Sequence, residues 1–333
     1  MDGSHGLWHL WPLRRLSVPR TKKGRREREC ATLVVAMRAS GGTGMDLKRI
    51  GVWAALDGFS AADAAQFAQQ VEKWGYGALW IPEAVGREVF SSAAWLLART
   101  EELVVASGIA NIYARDALAA ASAQKGLNEQ SGGRFVLGLG VSHVPLVKDL
   151  RQHEYGKPVA TMRAYLQAMA GAPYKSVEPA VTPKTVLAAL GPKMLELSAE
   201  LADGAHPYNV TPEHTREARA ILGRGKLLCV EQGVILESDA SRARSMGRKF
   251  LSIYMGLPNY VNNWRRLGFG DADFAGGGSD RLVDAVIAWG DEKAIRARLD
   301  EHWAAGADHV CVQAIGATQL PDERVLSLLA PSV

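Results

Sequence analysis

The chain repeats one pattern of apolar and polar positions from residue 49 onward. A short apolar run is followed by a polar loop, then by a stretch with apolar residues three to four positions apart, and then by glycine. Short apolar runs are typical of buried strands, and apolar residues three to four positions apart are typical of amphipathic helices. The eight apolar runs predict strands at Arg49–Leu56, Ala78–Glu83, Leu103–Ala110, Arg134–Gly140, Thr185–Leu190, Gly204–Asn209, Leu227–Leu236 and His309–Ile315.

The stretches between these runs carry the start and stop signals of helices. Ser60 is placed to cap a helix whose apolar face holds Phe67, Val71 and Trp74, and Gly75 ends it. Further helices are predicted from Asp116 to Gly132 and from Pro192, and at 161–170, 211–223, 239–257, 260–267, 280–289, 291–305 and 322–329.

Eight strand–helix units favour a (β/α)8 TIM barrel, whose usual size is about 250 residues. A doubly wound open sheet is the alternative, but the number of strands and their regular alternation with helices favour the barrel. The barrel then carries a helical insertion, at about 256–290, between its seventh and eighth strands. The predicted organisation is an N-terminal extension, 1–47, and a single barrel domain, 48–333.

Composition fits a globular protein and limits the classes of partner. The chain has 333 residues, 47% hydrophobic and 22% charged, and no apolar run approaches the roughly 18–20 residues that span a bilayer. The net charge is +4, but residues 1–48 hold ten Lys/Arg against four Asp/Glu, which leaves the remainder slightly acidic. Because the basic charge belongs to the extension, we expect no nucleic-acid-binding fold and no membrane partner.

The extension itself has no regular period. Its apolar residues precede the charge run, the reverse of the order in a signal peptide, so a disordered basic tail is predicted, with Met37 or Met45 as candidate true starts. The cysteines, Cys30, Cys229 and Cys311, are far apart and lack metal-ligand spacing. We therefore expect no metal site, buried reduced thiols and a cytoplasmic location.

Candidate chemistry lies where the predicted strands end, because parallel α/β barrels place their active sites there. Gly191–Pro192–Lys193 follows one strand and opens a helix, which makes it a phosphate-site candidate, although a plain turn has the same sequence. Gly138 and Gly140 indicate that another group comes close to the backbone of their strand, but no Rossmann fingerprint accompanies them. The full set of strand ends is Trp53, Glu83, Gly108–Asn111, Val141–His143, Leu190–Lys193 and His206–Tyr208.

Two titratable residues at these ends are candidates for catalysis. His143 could be a general acid or base, or an ordinary loop histidine, and Glu83 could be a base or a structural acceptor for loop N–H groups. No signature of a covalent nucleophile or a metal site accompanies them. A cofactor that brings its own reactivity is therefore the expected source of chemistry.

These segments resemble the luciferase-like monooxygenase superfamily, and most of all its branch of coenzyme F420-dependent oxidoreductases from actinobacteria. The resemblance extends from about Ile50 to Gly316. Its most specific pieces are ALWIPEAVGRE, VVASGIANIYARD, SGGRFVLGLGVSH, AALGPKMLELSAELADGAHPY and AAGADHVCVQ.

The resemblance implies F420 as the cofactor, with FMN as the alternative. It implies a bulge at Gly108–Ala110, often with a non-proline cis peptide, against the central ring, and a phosphate site at the helix start after Leu190. His143 falls where relatives place an acid/base residue. The implied cofactor-binding set is Trp53, Gly108, Ile109, Ala110, Asn111, Val141, Ser142, Leu190, Gly191, Pro192, Lys193 and Met194.

One departure from the family pattern concerns the proton donor. Relatives often carry an acidic–His pair after the second strand, whereas here Ala84 follows Glu83. The expected function is hydride transfer between F420 and a small organic substrate, with His143 and Glu83 as catalytic candidates and a homodimer as the expected assembly. The alternatives are an FMN-dependent monooxygenase and a non-catalytic cofactor-binding barrel. Candidates for the pocket wall are Tyr113, Arg115, Tyr260, Asn262, Asn263 and Trp264.

Overall fold

The structure is a computed structural model that describes residues 45, 47–318 and 320–331. Within these ranges, eight parallel strands close into a barrel, because β10 pairs with β1 on one side and with β8 on the other. The closure confirms the (β/α)8 barrel and excludes the open sheet. The strands are β1 (Ile50–Trp53), β2 (Ala78–Ile81), β3 (Val104–Ser107), β4 (Ala110–Asn111), β5 (Phe135–Gly140), β6 (Lys184–Leu187), β7 (Gly204–Ala205), β8 (Leu227–Leu236), β9 (Ala288–Gly290) and β10 (His309–Ala314).

Two of these strands lie outside the closed ring. Strand β4 continues beyond β3 and pairs with the end of β5, and β9 pairs with the end of β8. Helices surround the barrel: α1 (Ala61–Lys73), α2 (Val89–Leu97), α3 (Ala117–Ser131), α4 (Pro158–Ala170), α5 (Pro192–Leu201), α6 (Pro212–Leu222), α7 (Ala240–Met255), α8 (Pro258–Arg266), α9 (Asp271–Phe274), α10 (Asp280–Val286), α11 (Glu292–Ala304) and α12 (Glu323–Leu328).

The capping residues expected from the sequence begin their helices. The side chain of Ser60 accepts from the amide of Asp63 at 3.1 Å, and that of Asp116 accepts from Ala119 at 2.8 Å. Gly132 ends α3 with φ +68°, a left-handed conformation in which a residue without Cβ is favoured. These caps fix where each loop leaves the barrel and hence the shape of its mouth.

Two apolar layers hold the barrel. The inner layer is a cluster of strand residues that face the axis: Trp53, Ala78, Trp80, Val104, Ala106, Val136, Val186, Cys229 and Cys311. The outer layer is a second cluster that joins residues of the other strand faces and of the helices, among them Val52, Val230, Phe67 and Leu299. Cys229 and Cys311 are both buried and free, as the sequence predicts.

Several elements differ from those expected. Helix α2 was not predicted, because its nine residues VFSSAAWLL are too apolar to show a helical period. A π-helix, Pro145–Leu150, was also missed. The helix predicted at 280–289 ends at Val286, and its last residues form β9 instead. Strand β7 has two residues where six were predicted.

Segment 256–290 carries three helices, a 3-10 turn (Ala275–Gly277) and β9, and its status as an insertion stays a prediction. The extension lies outside the described residues, except for Met45 and Leu47. Among the described residues, no helix is long and apolar enough to cross a bilayer. The same residues contain no group of three His, Cys, Asp or Glu side chains arranged to hold a metal ion.

Candidate active site

A cavity of about 590 Å³ opens at the C-terminal ends of β5, β6 and β7. Its volume lies within the range of about 300–1,000 Å³ that small-molecule sites have. The predicted site residues that line it are Ile109, Val141, Ser142, His143, Leu190, Gly191, Pro192, Lys193 and Met194. The wall contains no aspartate or glutamate among the described residues, and its cations are Lys193 and Arg266.

The bulge after β3 forms one edge of the cavity. The Gly108–Ile109 peptide bond is cis, as the resemblance implies. The indole Nε1 of Trp53 donates to the carbonyl of Gly108 at 3.2 Å, and the amide of Glu83 donates to the carbonyl of Ile109 at 3.2 Å. A Cβ at position 108 would lie 2.7 Å from Trp53 Nε1 and 3.1 Å from His206 Nε2, so only glycine fits there without displacement.

Two glycines of β5 make room for the bulge. A Cβ at Gly138 would collide with the backbone carbonyl of Ser107, and one at Gly140 would collide with the side chain of Ile109. The close backbone approach predicted from GLG therefore exists at Gly138, which faces the carbonyl of Ser107 in β3, whereas Gly140 faces the side chain of Ile109 in the bulge. Ile109 thereby presents its side chain to the cavity.

Glu83 lies behind the bulge and does not line the cavity. Its Oε2 accepts from the amide of Asn111 at 2.8 Å and from Arg115 Nη1 at 2.9 Å, and Arg115 Nη2 pairs with Oε1. The Oδ1 of Asn111 accepts from the amide of Tyr113 at 2.9 Å. The carboxylate thus serves as a structural acceptor for a loop N–H, and its catalytic role stays a prediction.

His143 lines the cavity at the end of β5. Burial lowers the pKa of its imidazole below the usual value, and a hydrogen bond with Asn259 opposes that shift. Its ring lies 5.9 Å from the ring of Tyr260. A half-buried neutral imidazole in a cavity wall can accept a proton or donate one hydrogen bond.

The helix start after β6 forms the cationic end of the cavity. Gly191 caps α5, and the space around a hypothetical Cβ there is open to 4 Å. The first-turn N–H groups of a helix lack intrahelical partners and carry partial positive charge. Arg266 Nη2 donates to Asn263 Oδ1 at 2.7 Å, which leaves the Nδ2 of that amide as a buried donor with no partner among the described residues.

The end of β7 supplies aromatic walls and a polar chain. His206 and Tyr208 both line the cavity. The Tyr208 hydroxyl donates to Gln313 Oε1 at 2.7 Å, so it accepts from the Tyr254 hydroxyl at 2.8 Å. Below them, burial raises the pKa of Glu231 to about 8, although a bond from the amide of Asn209 opposes the shift.

The structure separates the remaining predicted residues from the cavity wall. Trp53, Gly108, Ala110 and Asn111 do not line it: Gly108 and Ala110 belong to the bulge, Trp53 bonds to Gly108, and Asn111 bonds to Glu83. Of the pocket-wall candidates, Tyr260, Asn262 and Asn263 do line it, whereas Tyr113, Arg115 and the fully buried Trp264 do not. Five further residues line the cavity without a signal in the sequence, and they come from the loop after β5 and from α4 and α8: Tyr155, Pro158, Val159, Asn259 and Arg266.

Comparison with known proteins identifies the family of the chain and its fold. The family described as luciferase-like monooxygenase matches residues 42–309. A putative coenzyme F420-dependent oxidoreductase of Mycobacterium tuberculosis is 25% identical over 82% of this chain and 96% of its own length.

Two solved structures share the fold. The coenzyme F420-dependent tetrahydromethanopterin reductase of Methanopyrus kandleri superposes with a TM-score of 0.65 at 17% identity, over 86% of this chain and 98% of its own. A type II Baeyer–Villiger monooxygenase of Pseudomonas putida, in complex with FMN, gives a TM-score of 0.63 at 14% identity, over 85% and 97%. At these identities the likeness shows the barrel and not the reaction.

Proposed function

The chain belongs to the luciferase-like monooxygenase family, and on that premise we propose that it is an F420-dependent oxidoreductase that exchanges a hydride with a small organic substrate. The observation that carries the proposal is a cavity whose two ends differ. One end has the bulge at Ile109, and the other has a helix start with Lys193 and Arg266 nearby. A planar redox ring with a phosphate on its side chain matches that asymmetry.

The donor set fits a phosphate group. Asn263 Nδ2 is a buried donor without a partner among the described residues, and an unpaired buried donor is costly unless a ligand or water satisfies it. Gly191 leaves its side of the helix start open, and Lys193 adds an exposed cation. Residues 190–194 would hold the phosphate, with Asn263 and Arg266 beside them.

The other residues would hold and flank the ring. Ile109, Val141 and Ser142 would contact it, while Trp53 and Asn111 would keep the bulge, which includes Ala110, in place through their bonds to Gly108 and Glu83. The chemistry that F420 supplies when bound is hydride exchange at the central carbon of its ring. The chain contributes orientation of substrate and ring, which is a large part of catalysis in two-reactant sites.

His143 would manage the proton that accompanies hydride transfer. The pKa of its buried imidazole is lowered, so the neutral form prevails at pH 7 and can take a proton from a substrate hydroxyl. This role would replace the histidine that relatives carry where Ala84 stands. We propose for Glu83 a positioning role, exerted through its bond to Asn111.

Side-by-side titration of the purified protein with F420 and with FMN tests the cofactor. We expect saturable quenching of F420 fluorescence and a rise in melting temperature, since a ligand at 100 times its Kd stabilises by about 2.7 kcal/mol. Lys193→Gln should weaken binding, while Lys148→Gln, an exposed lysine outside the cavity, should not. If F420 causes neither fluorescence quenching nor a rise in melting temperature, the proposal is refuted.

The FMN-dependent monooxygenase is the second candidate, because a protein of the same fold is seen in complex with FMN. Tighter binding of FMN than of F420 would favour it. A non-catalytic cofactor-binding barrel is the third candidate, because Ala84 stands where relatives often carry a histidine. Enzyme-dependent oxidation of reduced F420 by any member of a panel of carbonyls and enones would exclude it.

A further inference from the structure

The carbonyl oxygen of Leu190 is held by two side chains, that of His214, which lies outside the cavity wall, and that of Arg266, which is part of it. His214 Nε2 lies 2.7 Å from it, and Arg266 Nη2 donates to it at 3.3 Å. His214 is in the first turn of α6, and Arg266 is the last residue of α8. The peptide that precedes Gly191 is therefore tied to two helices of the barrel's outer layer.

The tautomer of His214 follows from this contact. A carbonyl oxygen can only accept, so Nε2 carries the ring proton, and Nδ1 has no partner among the described residues. Burial lowers the pKa of this ring to about 4, so it is neutral at pH 7. Its single N–H is therefore committed to Leu190.

Because a peptide bond is planar, a fixed Leu190 carbonyl also fixes the direction of the Gly191 N–H. The Leu190–Gly191 peptide is trans, since the cis bond of the described residues is Gly108–Ile109, and the C=O and N–H of a trans peptide point in opposite directions. The Gly191 N–H thus points away from His214. Leu190 and Gly191 line the cavity, whereas His214 does not.

We propose that His214 is a positioning residue, which holds the Leu190–Gly191 peptide so that the Gly191 N–H faces a phosphate group bound in the cavity. This inference rests on the proposed function, since it assigns the cofactor phosphate to this turn. His214 acts through its bond to Leu190 and does not itself line the cavity. Arg266 shares the task, but it also lines the cavity, so His214 gives the cleaner test.

The experiment compares ligands that differ in the phosphate alone. The affinity of the 5′-phosphate ester of the F420 chromophore, without the lactyl and glutamyl tail of F420, is measured against that of the same chromophore with a free ribityl hydroxyl, by fluorescence, for wild type and variants. His214→Leu removes the donor, and we expect the preference for the phosphate-bearing ligand to fall about 5- to 10-fold, the worth of one ordinary hydrogen bond. His214→Gln, whose amide nitrogen stands close to the place of Nε2, should restore most of it.

The matched control is His302, another buried histidine. It bonds to Thr215 and Gln232 and does not line the cavity. His302→Leu should lower stability without changing the ratio of the two affinities. If His214→Leu does not fold, His214→Asn takes its place, because its shorter amide stops short of Leu190.

Three outcomes with the variants would overturn the inference: equal weakening of both ligands by His214→Leu, failure of His214→Gln to restore the ratio, or the same ratio change in His302→Leu. If the wild-type protein does not bind F420, the proposed function fails. The phosphate preference is then measured as the ratio of the affinities for FMN and riboflavin. A wild type that prefers the phosphorylated member of neither pair also overturns the inference.

Discussion

The indole of Trp53 donates to the carbonyl of Gly108 at 3.2 Å, and this bond joins the first strand of the barrel to the edge of the cavity. Trp53 is 7% exposed, so Trp53→Phe would leave a carbonyl without its donor in a buried environment. Such a loss costs about 1–3 kcal/mol of the free energy of unfolding. Urea denaturation and cofactor titration should show lower stability and weaker binding together.

Trp95 provides the comparison for that prediction. Its Nε1 donates to the carbonyl of Ala61 at 2.7 Å, but the residue is 36% exposed, so water can replace the bond. Trp95→Phe should cost less than Trp53→Phe and leave cofactor affinity unchanged. Equal losses from both variants would contradict a special role for the bond to Gly108.

Gly140→Ala should separate binding from folding. The added Cβ meets the flexible end of Ile109, which can move only by changing the cavity edge. We expect cofactor Kd to rise while the melting temperature falls by a few degrees at most. Gly126→Ala, in α3 with open space around it, should instead stabilise by about 0.5–1 kcal/mol and leave Kd unchanged. An unaltered Kd in Gly140→Ala would count against contact between Ile109 and the cofactor.

The pH profile of turnover tests His143. Because burial lowers the pKa of its imidazole, the neutral form is lost only as pH falls below the usual histidine range. If that form takes the proton, kcat/KM should decline on this acidic limb, and the limb should vanish in His143→Gln. His153→Gln changes an exposed histidine of the same loop and should keep the wild-type profile. An acidic limb that survives in His143→Gln would assign the titration elsewhere.

Glu231→Gln should alter how stability depends on pH. Burial raises the pKa of Glu231 to about 8, so the folded state keeps a proton that the unfolded state releases near pH 4.5. Stability from this group is therefore complete below about pH 4.5 and is lost as pH rises towards 8. The neutral amide preserves the acceptor for Asn209 and should stabilise by about 1–3 kcal/mol at pH 8 but little at pH 5. Parallel stability–pH curves for the two proteins would refute the prediction.

The fold was predictable because two features of the sequence indicate each strand. One is an apolar run, and the other is a glycine or a helix-capping residue where the strand and the neighbouring helix meet. Helix α2 escaped because its residues are apolar on nearly every side, and β7 was overextended because His206–Asn209 continue in strand-like sequence. After Ala205, the chain is held by isolated bonds such as that from Glu231 to the carbonyl of Pro207. Such bonds leave no pattern in the sequence.

The site was predictable where it follows the strands and not where it depends on tertiary folding. The bulge, the end of β5 and the helix start after β6 are contiguous segments. Asn259 and Arg266 reach the cavity only because α8 folds back over the strand ends, and no local signal marks that path. Glu83 shows what position alone does not reveal. Its place at the end of a strand predicted a catalytic role, but nothing in the sequence indicated that Arg115 would pair with its carboxylate.

The pairing of β10 with both β1 and β8 has a consequence for synthesis on the ribosome. Until residues 309–314 have been synthesised, the parts of β1 and β8 that pair with β10, Ile50–Val52 and Cys229–Val234, lack that partner strand. More than seventy residues separate His309 from Leu236, the end of the last of the other ring strands. Unpaired edges template association between chains. A nascent chain arrested before His309 should therefore accumulate as aggregates, whereas release of the full chain closes the ring and removes both edges at once.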